Sequence, residues 1–391
     1  MQAALLMGLV ALAGASPLVS TAAEAGPQSL PVTSAEAGPQ SLPVTSVDAA
    51  TGTDRNAIRD LDAVMVTGMQ PGPGMWKVSR GDHEMWVLGV VSPLPEAMTW
   101  QSSEVEAVIA RAGQVLQSPM WSVYSDVGLF KGLSLLPAAL RARRNPGDAE
   151  LGDVLPPALY ARWEVQKDKY LGWEFGIERW RPMFAAEKLE RKAMERLGFD
   201  GNVVAPVINA AAQRAGLEPT LVQVRTTVDA PRELLKEFNR ASLDDAACLE
   251  RTVAMLEHEV PTLVARANAW ASGDVEALRQ LPHDSLEWSC LQSVLQSDIG
   301  RRLGYDDMPM QIERAWLDAA EQALAKHAVT LAVLPMDQVL AADGYLAKLQ
   351  GRGYTVALTR PPASQALPQD RPVTAPAAPA DVLPVEVPVP R

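Results

Sequence analysis

Met75-Trp76-Lys77-Val78-Ser79-Arg80-Gly81-Asp82-His83-Glu84-Met85-Trp86-Val87-Leu88-Gly89-Val90-Val91-Ser92 is the stretch on which the reading of the fold turns. Apolar and β-branched residues alternate on both sides of the turn dipeptide Gly81-Asp82, the pattern of two short strands closed into a hairpin. The second strand runs into Gly89-Val90-Val91-Ser92, so Ser92 would be presented from a strand end, where active-site residues are commonly displayed.

Working outward, the hairpin strands at 75–80 and 84–91 are joined by strand expectations at 113–117, 219–225, 328–334 and 354–358. Between them, apolar residues recur at three and four spacing over Pro182 to Leu197, Ala205 to Ala215, Leu243 to Trp270, Leu286 to Leu303 and Met308 to Lys326, which predicts helices. Ser102-Ser103-Glu104-Val105-Glu106 starts another, with a capping Ser and acids in the first turn. Pro156-Pro157-Ala158 opens one more, since proline is tolerated there. Strands at both ends of a helical middle predict an α/β fold over 71–360, a mixed central sheet with a large helical insertion.

The flanks read differently. Residues 1–23 hold an apolar run, Ala3 to Ala15, and then the small-x-small pattern Thr21-Ala22-Ala23, as in a secretory signal peptide. The run is too short to cross a bilayer, so a processed protein that is not transmembrane and is periplasmic or secreted is expected. Residues 23–34 repeat unchanged at 35–46, and this Pro-, Ser- and Ala-rich duplication places a linker over 24–70. Residues 361–391 carry prolines every few positions and read as a disordered, partly polyproline II tail.

A net charge of −12 argues against a nucleic-acid partner, because a phosphate backbone selects basic surfaces. Ten Trp stand against five Phe, and most are expected in the core and at its rim. Trp163, Trp173 and Trp180 also invite a sugar-stacking reading, although their helical spacing favours packing. The two cysteines, Cys248 and Cys290, fall in helical stretches. They form either one disulfide, the expectation in an oxidising compartment, or two buried thiols. No Cys or His pair has zinc-ligand spacing, and no His-Glu-x-x-His, P-loop or dinucleotide fingerprint occurs. His83 in the turn, His258 on a polar helix face, His283 in a Pro-led loop and His327 at a helix end each have a structural role before a catalytic one. Arg141, Arg143 and Arg144 read as a solvated helix terminus.

Several separated segments resemble the TraB/GumN family, in the order in which that family has them. The hairpin resembles its Leu-Trp-Lys-Val opening, turn and apolar strand, and Leu94-Pro95 with Met98-Thr99-Trp100 resembles the segment that follows. Arg181-Pro182-Met183-Phe184-Ala185-Ala186 resembles a central helix start of secreted members, and Ala328 to Val356 resembles the closing unit. The resemblance implies metal-dependent hydrolase or peptidase chemistry, carried by two Gly-x-x-His motifs, an acid at a strand end and an Arg-Asn-x-x-Trp helix motif.

Those positions are replaced here. The first His falls on Ser92 and the acid on Ser118. Anchoring on Gly344-Tyr345-Leu346, the second His falls on Gln338, and Ile312 and Glu313 stand in the Arg and Asn places before Trp316. A metal that activates water needs about three N or O side-chain donors, and neutral hydroxyls and amides are poor substitutes. A catalytically degenerate binding or scaffold element of the cell envelope, without a metal or other cofactor, is the expectation, its partner an envelope protein or polysaccharide. The alternative is a metal-dependent hydrolase or peptidase with relocated ligands, for which Glu96 or Asp337 would supply the carboxylate. Ser92, Glu96, Ser118, Asp337 and Gln338 define the candidate cleft.

Overall fold

The computed structural model describes residues 72–125, 129–199, 203–241, 243, 245–281 and 286–359. The expected signal segment, the duplicated linker and the Pro-rich tail lie outside the described residues.

The hairpin forms as its alternation requires. β1 (Met75–Arg80) and β2 (His83–Val90) pair antiparallel, from Met75 opposite Leu88 to Arg80 opposite His83. Gly81 makes the turn with φ +61, a conformation a side chain would disfavour. β3 (Gln114–Leu116), β6 (Val329–Pro335) and β7 (Thr355–Thr359) complete a five-stranded sheet in the order β3-β6-β2-β1-β7. β6 runs parallel to both β2 and β3, while β1 is antiparallel to β2 and β7, so the sheet is mixed. β2 and β6 are covered on both faces, which is why Val87, Leu88, Leu331, Ala332 and Leu334 are all buried.

Between β3 and β6 lies the helical insertion, and it has a core of its own. Trp163, Phe184, Leu189, Phe238, Leu249 and Val253 cluster there, apart from the sheet core that holds Trp76, Trp270 and Trp316. Helix Pro182–Arg196 packs on helix Ala246–His258 through this cluster. At its entrance Arg181 is buried. It donates from Nη2 to the Phe238 carbonyl at 2.7 Å, and its charge lies over the Phe238 ring.

The structure differs from the sequence reading at several elements. The run Leu243 to Trp270 is two helices, Ala246–His258 and Val260–Ser272, parted at Glu259. Pro261 cannot continue a preceding helix but fits the first turn of a new one. Likewise Leu286 to Leu303 divides into Leu286–Leu295 and Asp298–Arg302, because Ser297 caps the second piece by accepting from Gly300 N at 3.0 Å. The strand expected at 219–225 lies at Gln223–Thr227 (β5) and pairs outside the main sheet with Met120–Tyr124 (β4). β4 escaped notice because it follows β3 after only Gln117-Ser118-Pro119, with none of its residues fully buried. Helix Pro231–Arg240 is a further element that the spacing did not reveal. Among the described residues no helix is long and apolar enough to cross a membrane.

Cys248 and Cys290 are bonded, with Cα atoms 4.7 Å apart, and tie helix Ala246–His258 to helix Leu286–Leu295. Of the two expectations for the cysteines, the disulfide is the one present. With the partners separated by 42 positions in sequence, the chain-entropy model gives a stabilisation of about 4 kcal/mol. Replacing both cysteines with serine is expected to lower unfolding stability by roughly 2–4 kcal/mol in denaturant titrations, and reductant should shift the wild type but leave the double variant unmoved.

Candidate functional site

Three parallel strands leave the sheet along one edge. Val90 of β2 is paired with Pro335 of β6, and Leu116 of β3 with Ala332 of β6. The carboxyl ends of neighbouring parallel strands, about 5 Å apart, are where open α/β sheets place their ligand sites. Ser92 follows β2 by two residues, Ser118 follows β3 by two, and Gln338 follows β6 by three, so the edge gathers all three positions.

Each position has its own environment. Ser92 is exposed and precedes a cis bond to Pro93. Ser118 is half-buried, and its hydroxyl donates to the Val333 carbonyl at 3.1 Å, an attachment to β6 that occupies its proton. Gln338 is exposed and lies within a short helix, Met336–Leu340, rather than on the strand itself. Pro335, with no N–H to donate, both ends β6 and caps that helix. Glu96 is exposed as well, on a segment held by its backbone N–H on the Gly198 carbonyl at 2.8 Å.

Of the two expected Gly-x-x-His motifs only the first keeps its glycine, Gly89, since Pro335 stands in that place in the second; Gly344, the anchor of the closing unit, is the other tightly packed glycine near the edge. A Cβ on Gly89 would sit 2.8 Å from Met336 Cε and Sδ, so the flexible end of the Met336 side chain packs directly on this glycine and would have to move for a side chain there. A Cβ on Gly344 would sit 2.1 Å from the Gln338 carbonyl oxygen, a clash with backbone that no side-chain motion relieves.

The helix motif points elsewhere. Ile312 is half-buried against a small apolar cluster with Trp121, Val224, Leu295 and Tyr305. Glu313 pairs with Lys348 on helix Tyr345–Gly351, and Trp316 is fully buried with its ring 4.7 Å from that of Tyr345. Burial, with Glu313 and Asp337 nearby, pushes the Tyr345 hydroxyl well above its ordinary range, so it stays protonated.

Asp337 faces a partner that the sequence reading passed over. Arg266, on helix Val260–Ser272, is 4% exposed and shares with Asp337 a cavity of about 280 Å³, also lined by Leu278, Arg279, Leu281 and Leu340. Burial pulls the Arg266 guanidinium below its ordinary value, and the Asp337 carboxylate acts in the opposite direction. Its Nη1 donates to the Leu281 carbonyl, and its Nε is buried without a partner. One turn on, Trp270 Nε1 donates to the Gly89 carbonyl at 2.7 Å, which lays this helix across the end of β2. An arginine amid the buried Leu263, Val264, Ala267 and Trp270 was the available signal.

This donor set does not fit a catalytic metal. Two hydroxyls, a carboxamide and an isoleucine occupy the expected ligand and partner positions, and Asp337 has a buried cation within electrostatic reach. Among the described residues no three His, Cys, Asp or Glu side chains are grouped to hold a metal ion. His83 contacts the Leu324 carbonyl, His327 packs on Gly113, His258 is exposed, and His283 lies outside the described residues.

A sequence model of the TraB/PrgY/gumN family matches residues 74–358. The chain belongs to that family. No curated protein sequence and no solved structure matches it. In this TraB/PrgY/gumN member the match runs from the first strand to the last, so the sheet, the edge and the insertion all fall within it.

The tryptophans divide by position. Trp163 is fully buried and Trp180 partly so, with Arg143 over its ring, whereas Trp173 and Phe175 are 91% and 89% exposed and belong to no core.

The Arg266–Asp337 relation is testable by a double-mutant cycle. Asp337→Ala should destabilise the fold by about 1–3 kcal/mol, less than a close buried pair because no direct hydrogen bond joins the two. Arg266→Met in that background should recover most of the loss, since the uncompensated buried charge is then gone. Equal destabilisation by Asp337→Ala in both backgrounds would show that the two residues are independent.

Proposed function

We propose that this chain is an exported TraB/PrgY/gumN protein without the family's metal chemistry, acting as a binding or scaffold element of the cell envelope, periplasmic or secreted. The residue set at the carboxyl edge carries the reading. Ser92, Ser118 and Gln338 cannot supply a hard anionic or imidazole set, and without one a bound water keeps its high pKa. A serine nucleophile would need a base, and Ser118 instead donates to a backbone carbonyl. Export is supported by the apolar run before Thr21-Ala22-Ala23 and by the Cys248–Cys290 bond, which an oxidising compartment sustains. The partner on this reading is an envelope protein or polysaccharide.

Elemental analysis of protein purified without chelator, and again after incubation with Mn, Co or Zn, is expected to find no stoichiometric metal. A stoichiometric metal that is lost together with activity in Asp337→Ala or Glu96→Ala would instead establish a hydrolase or peptidase with relocated ligands. Ser92→His, Gln338→His and Ser118→Glu combined should still bind metal weakly, because residue 338 emerges from the short helix Met336–Leu340 rather than from the strand end.

Mass spectrometry of the protein recovered from its native compartment is expected to place the mature start near Glu24. Intact residues 1–23 on a cytoplasmic pool would overturn export.

A further inference from the structure

The insertion holds a cavity of about 470 Å³ whose lining is unlike the rest of this acidic chain. Arg141, Arg144, Lys236 and Arg240 surround it, with Asp148 and Asn145 at its wall. We propose that this cavity binds a small oxyanion that also carries hydroxyl groups, the chemistry shared by a sugar phosphate and a hydroxylated sugar acid. The proposal is independent of the carboxyl edge and of the function assigned there.

Charge is the first support. Helices Leu129–Ala142 and Pro231–Arg240 both end at this cavity. Each helix end presents about half a negative charge, so two ends call for roughly one compensating cation. Four are present. Arg144 lies 3.4 Å from Asp148, and Lys236 lies 2.9 Å from Glu233. Arg141 and Arg240 have no ion pair or side-chain hydrogen bond among the described residues, which leaves two guanidiniums in the lining, one from the end of each helix, without a charged partner. A planar guanidinium is suited to bidentate recognition of an oxyanion.

Rigidity is the second. Asn145 is 5% exposed, and its Nδ2 donates to the carbonyls of Ala149 at 3.1 Å and Trp180 at 3.0 Å. Its backbone N–H donates to Arg179 O at 2.9 Å, and Arg181 N donates to Arg143 O at 2.7 Å, so the wall is strapped to the chain before helix Pro182–Arg196. Gly147, with φ +70, lets the turn close. Both amide protons of Asn145 are therefore committed, and its Oδ1 remains as an acceptor suited to a ligand hydroxyl. A site fixed before binding loses less freedom when a ligand arrives. The volume suits a monosaccharide-sized ligand rather than a polymer.

The test is calorimetric titration of the full chain at fixed ionic strength with inorganic phosphate, glucose 6-phosphate, galacturonate and, as neutral control, glucose. Glucose 6-phosphate or galacturonate is expected to bind more tightly than glucose. Competition by inorganic phosphate would assign the phosphate source, and binding of galacturonate alone would assign the sugar acid. Arg141→Gln combined with Arg240→Gln should weaken binding by at least about tenfold while the melting temperature holds, and Arg191→Gln with Lys192→Gln should leave it unchanged. Two results would overturn the proposal: no charged probe binding more tightly than glucose at millimolar concentration, or the folded Arg141→Gln/Arg240→Gln protein binding as the wild type does.

Discussion

The parallel pairing of β2 with β6 is the constraint on which the rest of this protein depends. Seven residue pairs, from Glu84 with Val329 to Val90 with Pro335, join two strands separated by the whole helical insertion. Closing so long a chain segment is entropically costly, though the cost grows only slowly with length. The insertion offsets it by folding around its own core and by fastening two of its helices with the Cys248–Cys290 bond. The pairing also fixes the carboxyl edge, because register at Val90 and Pro335 decides where Ser92 and Gln338 emerge.

Legibility in the sequence followed the strength of the local signal. The hairpin was readable because alternation, a Gly-Asp turn and two flanking Trp residues all specify one register. Met308–Lys326 was readable because nineteen residues of helical spacing begin at a first-turn proline. β4 and β5 were not, since a two-stranded ribbon with half-buried faces lacks the contrast between inside and outside on which a period-two reading relies. The break at Glu259 was missed for another reason. Apolar spacing persists across it, and only Pro261 betrays the interruption.

The candidate site was legible as positions but not as an environment. Sequence order placed Ser92, Ser118 and Gln338 after three strands, and the topology brings those strand ends to one edge. What it could not show is that Asp337 lies by a buried Arg266 from a helix some seventy residues earlier. Partners across tertiary contacts leave no local spacing. The misfit of one arginine within an apolar helix face is the sole trace, and it indicates burial of charge without naming the compensating group.

Gly89 and Gly344 show that the edge's geometry and its chemistry are separable. Gly344 is demanded by its approach to the Gln338 carbonyl, while Gly89 packs on the movable end of Met336, and neither contact involves a catalytic group. The backbone is tightly packed at the end of β2 and after Gln338, whatever side chains residues 92 and 338 carry. A sheet edge shaped in this way does not itself confer reactivity, because reactivity resides in the donors it carries. The same reasoning applies to the insertion. Its basic cavity rests on two helix ends and one strapped turn, all built by residues outside the sheet. The elements that shape the cavity therefore do not depend on the identity of residues 92, 118 or 338.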